Sequence, residues 1–276
     1  MTSHDVVGRC RRVFGQRQVG HGGTLDPSAT GVLLVGLGDA TRLLRFVSAL
    51  PKSYEGEVVM GVETDTLDAD GGTVAVHDMS GVTLDAVREA TVALTGAIDQ
   101  VPPMVSAVRV GGRRLYELAR EGAEVERDSR SVVVHRFDVA AGPEPGVFRV
   151  SVECSSGTYV RTLAADLGTA LGGGAHLRAL RRTAVGPFTL ERAVPLASLA
   201  SEAVMAPAEA VGHMARVVVD VPTASAVGHG AVLRRDEVGM AGDGPWAVVD
   251  DDGALLAVYE SRADATAKPS VVLAGR

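Results

Sequence analysis

The order in which helical and strand-like apolar periods follow one another constrains this chain more than any other feature. Residues 4–14 put Val6, Val7, Cys10, Val13 and Phe14 on one helical face, with Thr2 or Ser3 able to cap the start. A short apolar run, Ala29–Gly36, reads as a buried strand, and Ala40–Leu50 as a helix with Leu43, Leu44 and Val47 inward. Tyr54–Val62 alternates, with Tyr54, Val58, Met60 and Val62 on one strand face. A helix over Leu84–Leu94 follows, capped by Thr83 and closed by Gly96; next come a strand over Val105–Val110 and a short helix over Arg114–Arg120. Ser131–Val139 and Val147–Cys154 read as a strand pair, Thr158–Leu171 as a helix, and His176–Thr183 as a strand with core leucines. Such mixed order predicts an α/β (α+β) domain built around a mixed sheet. After Pro195 the texture changes to an Ala-rich linker and then short strand candidates separated by Gly, Pro and Asp. A small β-rich domain is expected there, with the division falling at 1–212 and 213–276.

Composition narrows the classes. The 276 residues, 46% apolar and 22% charged, have the balance of a folded soluble protein with a real core. No apolar run approaches the roughly 18–20 residues of a membrane span, and no basic start precedes an apolar stretch. Cys10 and Cys154 stand alone, so neither a disulfide framework nor a cysteine zinc site is expected, and a reducing cytoplasm fits. The net charge of −7 argues against a nucleic-acid partner until it is resolved along the chain. Residues 1–60, 106–136 and 155–192 carry +2, +2 and +3, while 61–105, 137–154 and 193–276 carry −7, −2 and −5. All cations except Lys52 and Lys268 are arginines, which suit bidentate phosphate contacts as well as reflecting a coding bias.

Common nucleotide cradles are missing, with no G-x-x-x-x-G-K-[ST] and no strand-linked G-x-G-x-x-G, and there is no G-x-S-x-G nucleophile elbow. The acidic run Glu63–Gly71 fails as a calcium loop, because a sixth-position Gly71 puts Thr66 first and His77 twelfth; a solvated loop is the ordinary reading. The segment Gly20-His21-Gly22-Gly23-Thr24-Leu25-Asp26-Pro27 surrounds one carboxylate with three glycines and a proline. It presents Asp26 rigidly, although an Asp before proline is ordinarily a turn former. Cys154–Leu163 runs from a strand end into a helix start and carries Tyr159 and Arg161. His176–Thr183 carries Leu180, Arg181 and Arg182.

Together these segments resemble the bacterial TruB-type tRNA pseudouridine-55 synthases. The resemblance rests on Gly20–Gly31, Pro51–Tyr54, Gly61–Gly71, Gln100–Ala107, Gly112–Gly122, Ser156–Arg161 and His176–Arg182, in order over roughly the first 190 residues. It implies a pseudouridine synthase catalytic domain with a mixed, mainly antiparallel sheet flanked by helices, an RNA-covering insertion at about 100–130, and a PUA-like RNA-binding domain at the C-terminus. It implies isomerisation of a uridine in the T loop of tRNA: C1′–N1 is broken, the base turns, and C1′–C5 forms. No cofactor or metal is needed. Asp26 matches the essential aspartate, whose role is attack at C1′, attack at C6 or removal of the C2′ proton. Arg161 matches the arginine that pairs with it. His21 matches the residue that fills the space left by the flipped base; Tyr54 and Tyr159 match rings lining the pocket, and Leu180 an apolar wall. Arg113, Arg114, Arg120, Arg181 and Arg182 are candidate phosphate contacts, with a solvated face as the alternative. The implied partner is the T arm of tRNA, with no obligate protein partner, no membrane and a monomeric state.

Compared with the family, the chain starts at Met-Thr-Ser-His-Asp and lacks the short strand and Lys-Pro-x-Gly that normally precede it. An unpaired sheet edge is therefore expected. A non-catalytic RNA-folding module is disfavoured by the intact Asp26, Tyr54, Tyr159 and Arg161. A guide-RNA-dependent synthase is disfavoured by the segment from Gln100 to Gly122, which resembles the stand-alone type.

Overall fold

The computed structural model describes residues 1–106, 108–123 and 125–273; Ala107 and Glu124, both in the expected insertion, and residues 274–276 lie outside the described residues. The chain forms two compact units, one of residues 25–32 and 49–193, the other of 1–24, 33–48 and 194–276.

The first unit is organised by a seven-stranded sheet. Its path runs Phe188–Thr189, Ala175–Val185, Lys52–Met60, Val147–Cys154, Arg130–Ala141, Gly96–Gln100, each neighbour antiparallel, and Thr30–Gly31 adds a parallel contact to Ala175–Val185. The sheet is thus mixed and mainly antiparallel, as the sequence implied. Period-two alternation decides which face is buried: Tyr54, Val58 and Met60 point into the same core as Phe148, Val150, Val152 and Cys154. In Arg130–Ala141 the buried set changes parity, Val132 and Val134 before Phe137 and Val139. A bulge between Val134 and Arg136 inserts the extra residue that keeps both halves facing inward. Helix Val160–Ala170 buries Leu163, Ala164 and Leu167 in this core. Helix Leu84–Ala93 buries Val87 there and is capped by Thr83, whose hydroxyl accepts from the Ala86 N–H at 3.2 Å.

The second unit contains helix Ser3–Phe14, closed at its start by a capping box between Thr2 and Asp5 and at its end by left-handed Gly15. Val19–His21 pairs with Val35–Leu37. A five-stranded sheet, ordered Ala215–Val218, Trp246–Val249, Leu255–Ser261, Thr266–Val272, Leu233–Arg234, surrounds fully buried Trp246 and Tyr259. The expected β-rich C-terminal region is therefore present, and residues 1–24 and 33–48 form a compact unit with it.

Three local expectations change. Ala29–Gly36 is not one buried strand but two short ones, Thr30–Gly31 and Val35–Leu37, because Gly31 sits at φ +104°, outside the strand region. Among the described residues of 105–110, only Arg109–Val110 pairs as a strand, and the Val105 carbonyl is taken by an arginine. The acidic run is not simply solvated: Val62–Thr64 pairs with Thr73–Val76, and Asp68 bridges Leu177.

Candidate active site

Asp26 leads a tight turn in which the Ala29 N–H donates to the Asp26 carbonyl at 3.0 Å. The loop beyond it is tied to strand Ala175–Val185: the Val32 N–H donates to the Arg182 carbonyl at 2.9 Å, and Arg182 Nε donates to the Val32 carbonyl at 2.7 Å. Gly31 makes this approach possible, because a Cβ there would lie 2.1 Å from the Arg182 carbonyl oxygen. The Asp26 side chain is left 32% exposed, enough to touch a ligand.

Arg161 fixes the carboxylate. It lies at the start of helix Val160–Ala170, and its side chain is only 5% exposed. Nε donates to Asp26 Oδ2 at 2.9 Å and Nη2 to Oδ1 at 3.0 Å, a two-pronged clamp. The rest of the fork is also engaged: Nη1 donates to the Thr66 carbonyl and Nη2 to the Val105 carbonyl, both at 2.8 Å. Asp68 Oδ2 approaches Nη1 at 3.5 Å. A planar guanidinium with four of its five donors hydrogen-bonded and the fifth facing Asp68 is held in place, and so is the carboxylate it clamps. Asp68 was not singled out by sequence reasoning. Its position within a long acidic run hid it, and only its bridge to Leu177 brings it here. Thr66 Oγ1 donates to Asp68 Oδ1 at 2.5 Å and the Asp70 N–H donates to the same oxygen at 3.1 Å, so Asp68 is itself held.

Asp26, Asp68, Arg161 and Leu180 line one narrow cleft of about 10 Å³, room for about one water. Tyr54 is 8% exposed, its phenol pushed up to about 12 by burial, with the nearby Arg182 charge opposing that shift. Burial likewise pushes Cys154 up to about 11 and, helped by Arg182, Lys52 down to about 8. Lys52 Nζ donates to the Leu50 carbonyl at 2.8 Å. Tyr159 precedes helix Val160–Ala170 and is half-buried. Gln100, 2% exposed, brackets its backbone, accepting from the Tyr159 N–H at 2.7 Å and donating to its carbonyl at 3.1 Å. Gln100 was another unsingled residue, since a glutamine at a strand end carries no signal of this role.

His21 ends strand Val19–His21, opposite Val35, in the other compact unit. Among the phosphate candidates, Arg181 is exposed, and Arg113 pairs with Glu121 at 2.5 Å. Arg114 and Arg120 stand over the Tyr116 ring at 5.7 and 5.6 Å. Arg182 is a correction: it is 1% exposed, its Nε is committed to Val32, and a phosphate at the surface has no access to it.

The fold and this clamp place the chain in a class of proteins built like the pseudouridine synthases. The crystal structure of a Cbf5–Nop10–Gar1 complex contains a chain with TM-score 0.73 and 27% identity, matched over 95% of this chain and 75% of that one. The family model described as the N-terminal domain of TruB family pseudouridylate synthase matches residues 11–160, and the tRNA pseudouridylate synthase B C-terminal domain matches 161–228. A tRNA pseudouridine synthase B of Mycobacterium sp. (strain KMS) is 46% identical over 99% of this chain and 92% of its own length. The protein of that name from Symbiobacterium thermophilum is 51% identical over 83% of this chain and 78% of its own. The chain belongs to the TruB family of pseudouridylate synthases.

Proposed function

We propose that the chain is an isomerase that converts uridine 55 in the T loop of tRNA to pseudouridine, and that Asp26 is its catalytic residue. The observation that carries the reading is the clamp: a part-exposed carboxylate locked at both oxygens by a buried arginine at the bottom of a cleft. Breaking C1′–N1, turning the base and joining C1′ to C5 changes no oxidation state, so the reaction asks for an enclosed site and one positioned carboxylate. Each role open to Asp26 at C1′, C6 or the C2′ proton needs it in contact with the nucleoside.

The target uridine must leave the loop's stack, at a cost of about a few kcal/mol. In this reading His21 fills the space it vacates, and Tyr54 and Tyr159 contribute rings worth about 1–3 kcal/mol per stacked base. Leu180 is the wall that yields as the cleft widens to admit the base. Asp68 and Gln100 act as positioning residues, through Arg161 and Tyr159. Arg113, Arg114, Arg120 and Arg181 meet phosphates. Residues 1–212 serve as the catalytic domain and 213–276 as a small PUA-like RNA-binding domain. The reading further takes the enzyme to act as a cytoplasmic monomer without cofactor or obligate protein partner. Among the described residues no helix is long and apolar enough to cross a membrane.

The test is tritium release from C5-labelled uridine in a T-arm stem-loop. Wild-type protein should release tritium, and Asp26→Asn should bind the stem-loop but release none. Measurable turnover by that variant would overturn the catalytic assignment.

A further inference from the structure

His21 stands on a two-stranded ribbon, Val19–His21 against Val35–Leu37. On one side of the ribbon Val19 is buried with Val7 and Cys10 of helix Ser3–Phe14. On the other lie the consecutive helical turns Gly38–Leu43 and Leu44–Ser48. The ribbon reaches them through two glycines that are directly paired, Gly20 and Gly36. A Cβ on Gly20 would stand 3.2 Å from Leu44 Cδ1, and one on Gly36 2.9 Å from the Thr41 Cα. Leu44 occupies the space that side chains at 20 and 36 would fill. Gln18 Nε2 donates to Thr41 Oγ1 at 2.8 Å, and the Gly38 N–H donates to the Gln18 carbonyl at 2.7 Å, closing the same contact.

The opposite face of residues 38–48 belongs to the C-terminal sheet. Ala40, Leu43 and Phe46, spaced by three, pack with Val249, Val258 and Val271, and Leu43 is 2% exposed. Arg42 Nη1 donates to the Val272 carbonyl at 2.8 Å, and Arg45 pairs with Glu260. The same short segment is therefore wedged between the sheet and the ribbon that carries His21, all within one compact unit.

We propose that the C-terminal sheet braces the base-flipping strand: seated on Leu43, it fixes residues 38–48, which through Leu44 set the position of the ribbon and so of His21. Leu43 and Leu44 are positioning residues that act through His21. The proposal rests on the reading of His21 above, as the side chain that fills the space left by the target base. A close-packed interior transmits position because it has few voids to absorb a shift. Residues 193–276 carry −5, which favours a contribution through packing over one through phosphates.

The experiment is a double-mutant cycle on the full chain with a T-arm stem-loop. It reads single-turnover tritium release, the stem-loop Kd, and the emission of a fluorescent pyrimidine analogue at the target position, which rises when the analogue leaves the stack. Leu43→Ala and Leu44→Ala should each slow release at saturation about tenfold and cut the emission rise, with Kd within about threefold of wild type. Placed on His21→Ala, each should cost less than about a further twofold. Leu43→Met refills the cluster and should restore wild-type behaviour. Val271→Ala opens the same cluster from the sheet side and replaces Leu43→Ala if thermal unfolding shows that variant to be unfolded. Losses that add to those of His21→Ala would mark a merely structural role and overturn the brace. A raised Kd with an unchanged rate at saturation would also overturn it, as the mark of a domain that acts only by holding RNA. Wild type that unstacks the analogue but releases no tritium strikes only the proposed reaction, and the cycle is then read from emission. Wild type that leaves the analogue stacked overturns the brace, since His21 then has no space to fill.

Discussion

Arg161→Lys tests the central geometry most directly. It keeps the charge and removes the fork. Arg161 donates to four oxygens, two on Asp26 and the carbonyls of Thr66 and Val105. A lysine has three donors on one atom, which cannot span both oxygens of a carboxylate and two separate carbonyls. At least one carbonyl loses its partner, and an unsatisfied acceptor costs about 1–3 kcal/mol. Thr66 and Val105 are half-buried, so water offsets part of this and the lower end applies. The catalytic cost is larger. Without two-point attachment the Asp26 carboxylate can rotate, and a displacement near 1 Å costs about 100-fold. Single-turnover tritium release should therefore fall about 100-fold, while the stem-loop Kd stays within about threefold and urea unfolding shows a loss of about 1–2 kcal/mol. A folded Arg161→Lys protein turning over within about threefold of wild type would refute the claim that the fork sets the orientation of Asp26.

Asp68→Asn should lower single-turnover rate about tenfold with an unchanged Kd, because it removes the charge that backs Arg161 without touching substrate; a rise in Kd of the same size would contradict that positioning role. Gly31→Ala should destabilise by about 3 kcal/mol or more, combining strain at positive φ with a clash on a strand backbone; an unchanged urea midpoint would show that the Asp26 loop is not anchored there. Lys52 gives a pH signature. Its ordinary value is 10.5 and its folded value about 8, so between these the unfolded chain binds more protons and stability rises with pH. Cys154, raised from 9.0 to about 11, and Tyr54, raised from 10.0 to about 12, give the opposite slope at higher pH. The urea midpoint should thus climb from about pH 8 to 9 and then flatten, and Lys52→Met should lose the climb.

The sequence alone determined the kind of fold and singled out Asp26 as the candidate carboxylate. Alternation in Tyr54–Met60 and Val147–Cys154 settles which face is buried, because period two admits one choice once a core exists. The Gly-His-Gly-Gly-Thr-Leu-Asp-Pro string marked Asp26 through its resemblance to the TruB-type synthases, since by residue type alone an Asp before proline is ordinarily a turn former. Long-range partnership was legible only through the resemblance, which paired Arg161 with Asp26; no local pattern showed it. Asp26 and Arg161 are separated by 135 positions, and Asp68 reaches the site only because its loop bridges Leu177 on another strand. Arg181 and Arg182 look alike in sequence, yet one is exposed and the other 1% exposed. Adjacent residues on a strand point to opposite faces, and which face the core claims depends on bulges at Leu177/Ala179 and Arg182/Ala184 that no local pattern announces. Chemistry-bearing residue types are local and can be read along the chain. Their burial and pairing are set by register between distant strands, and so are decided only in the tertiary structure.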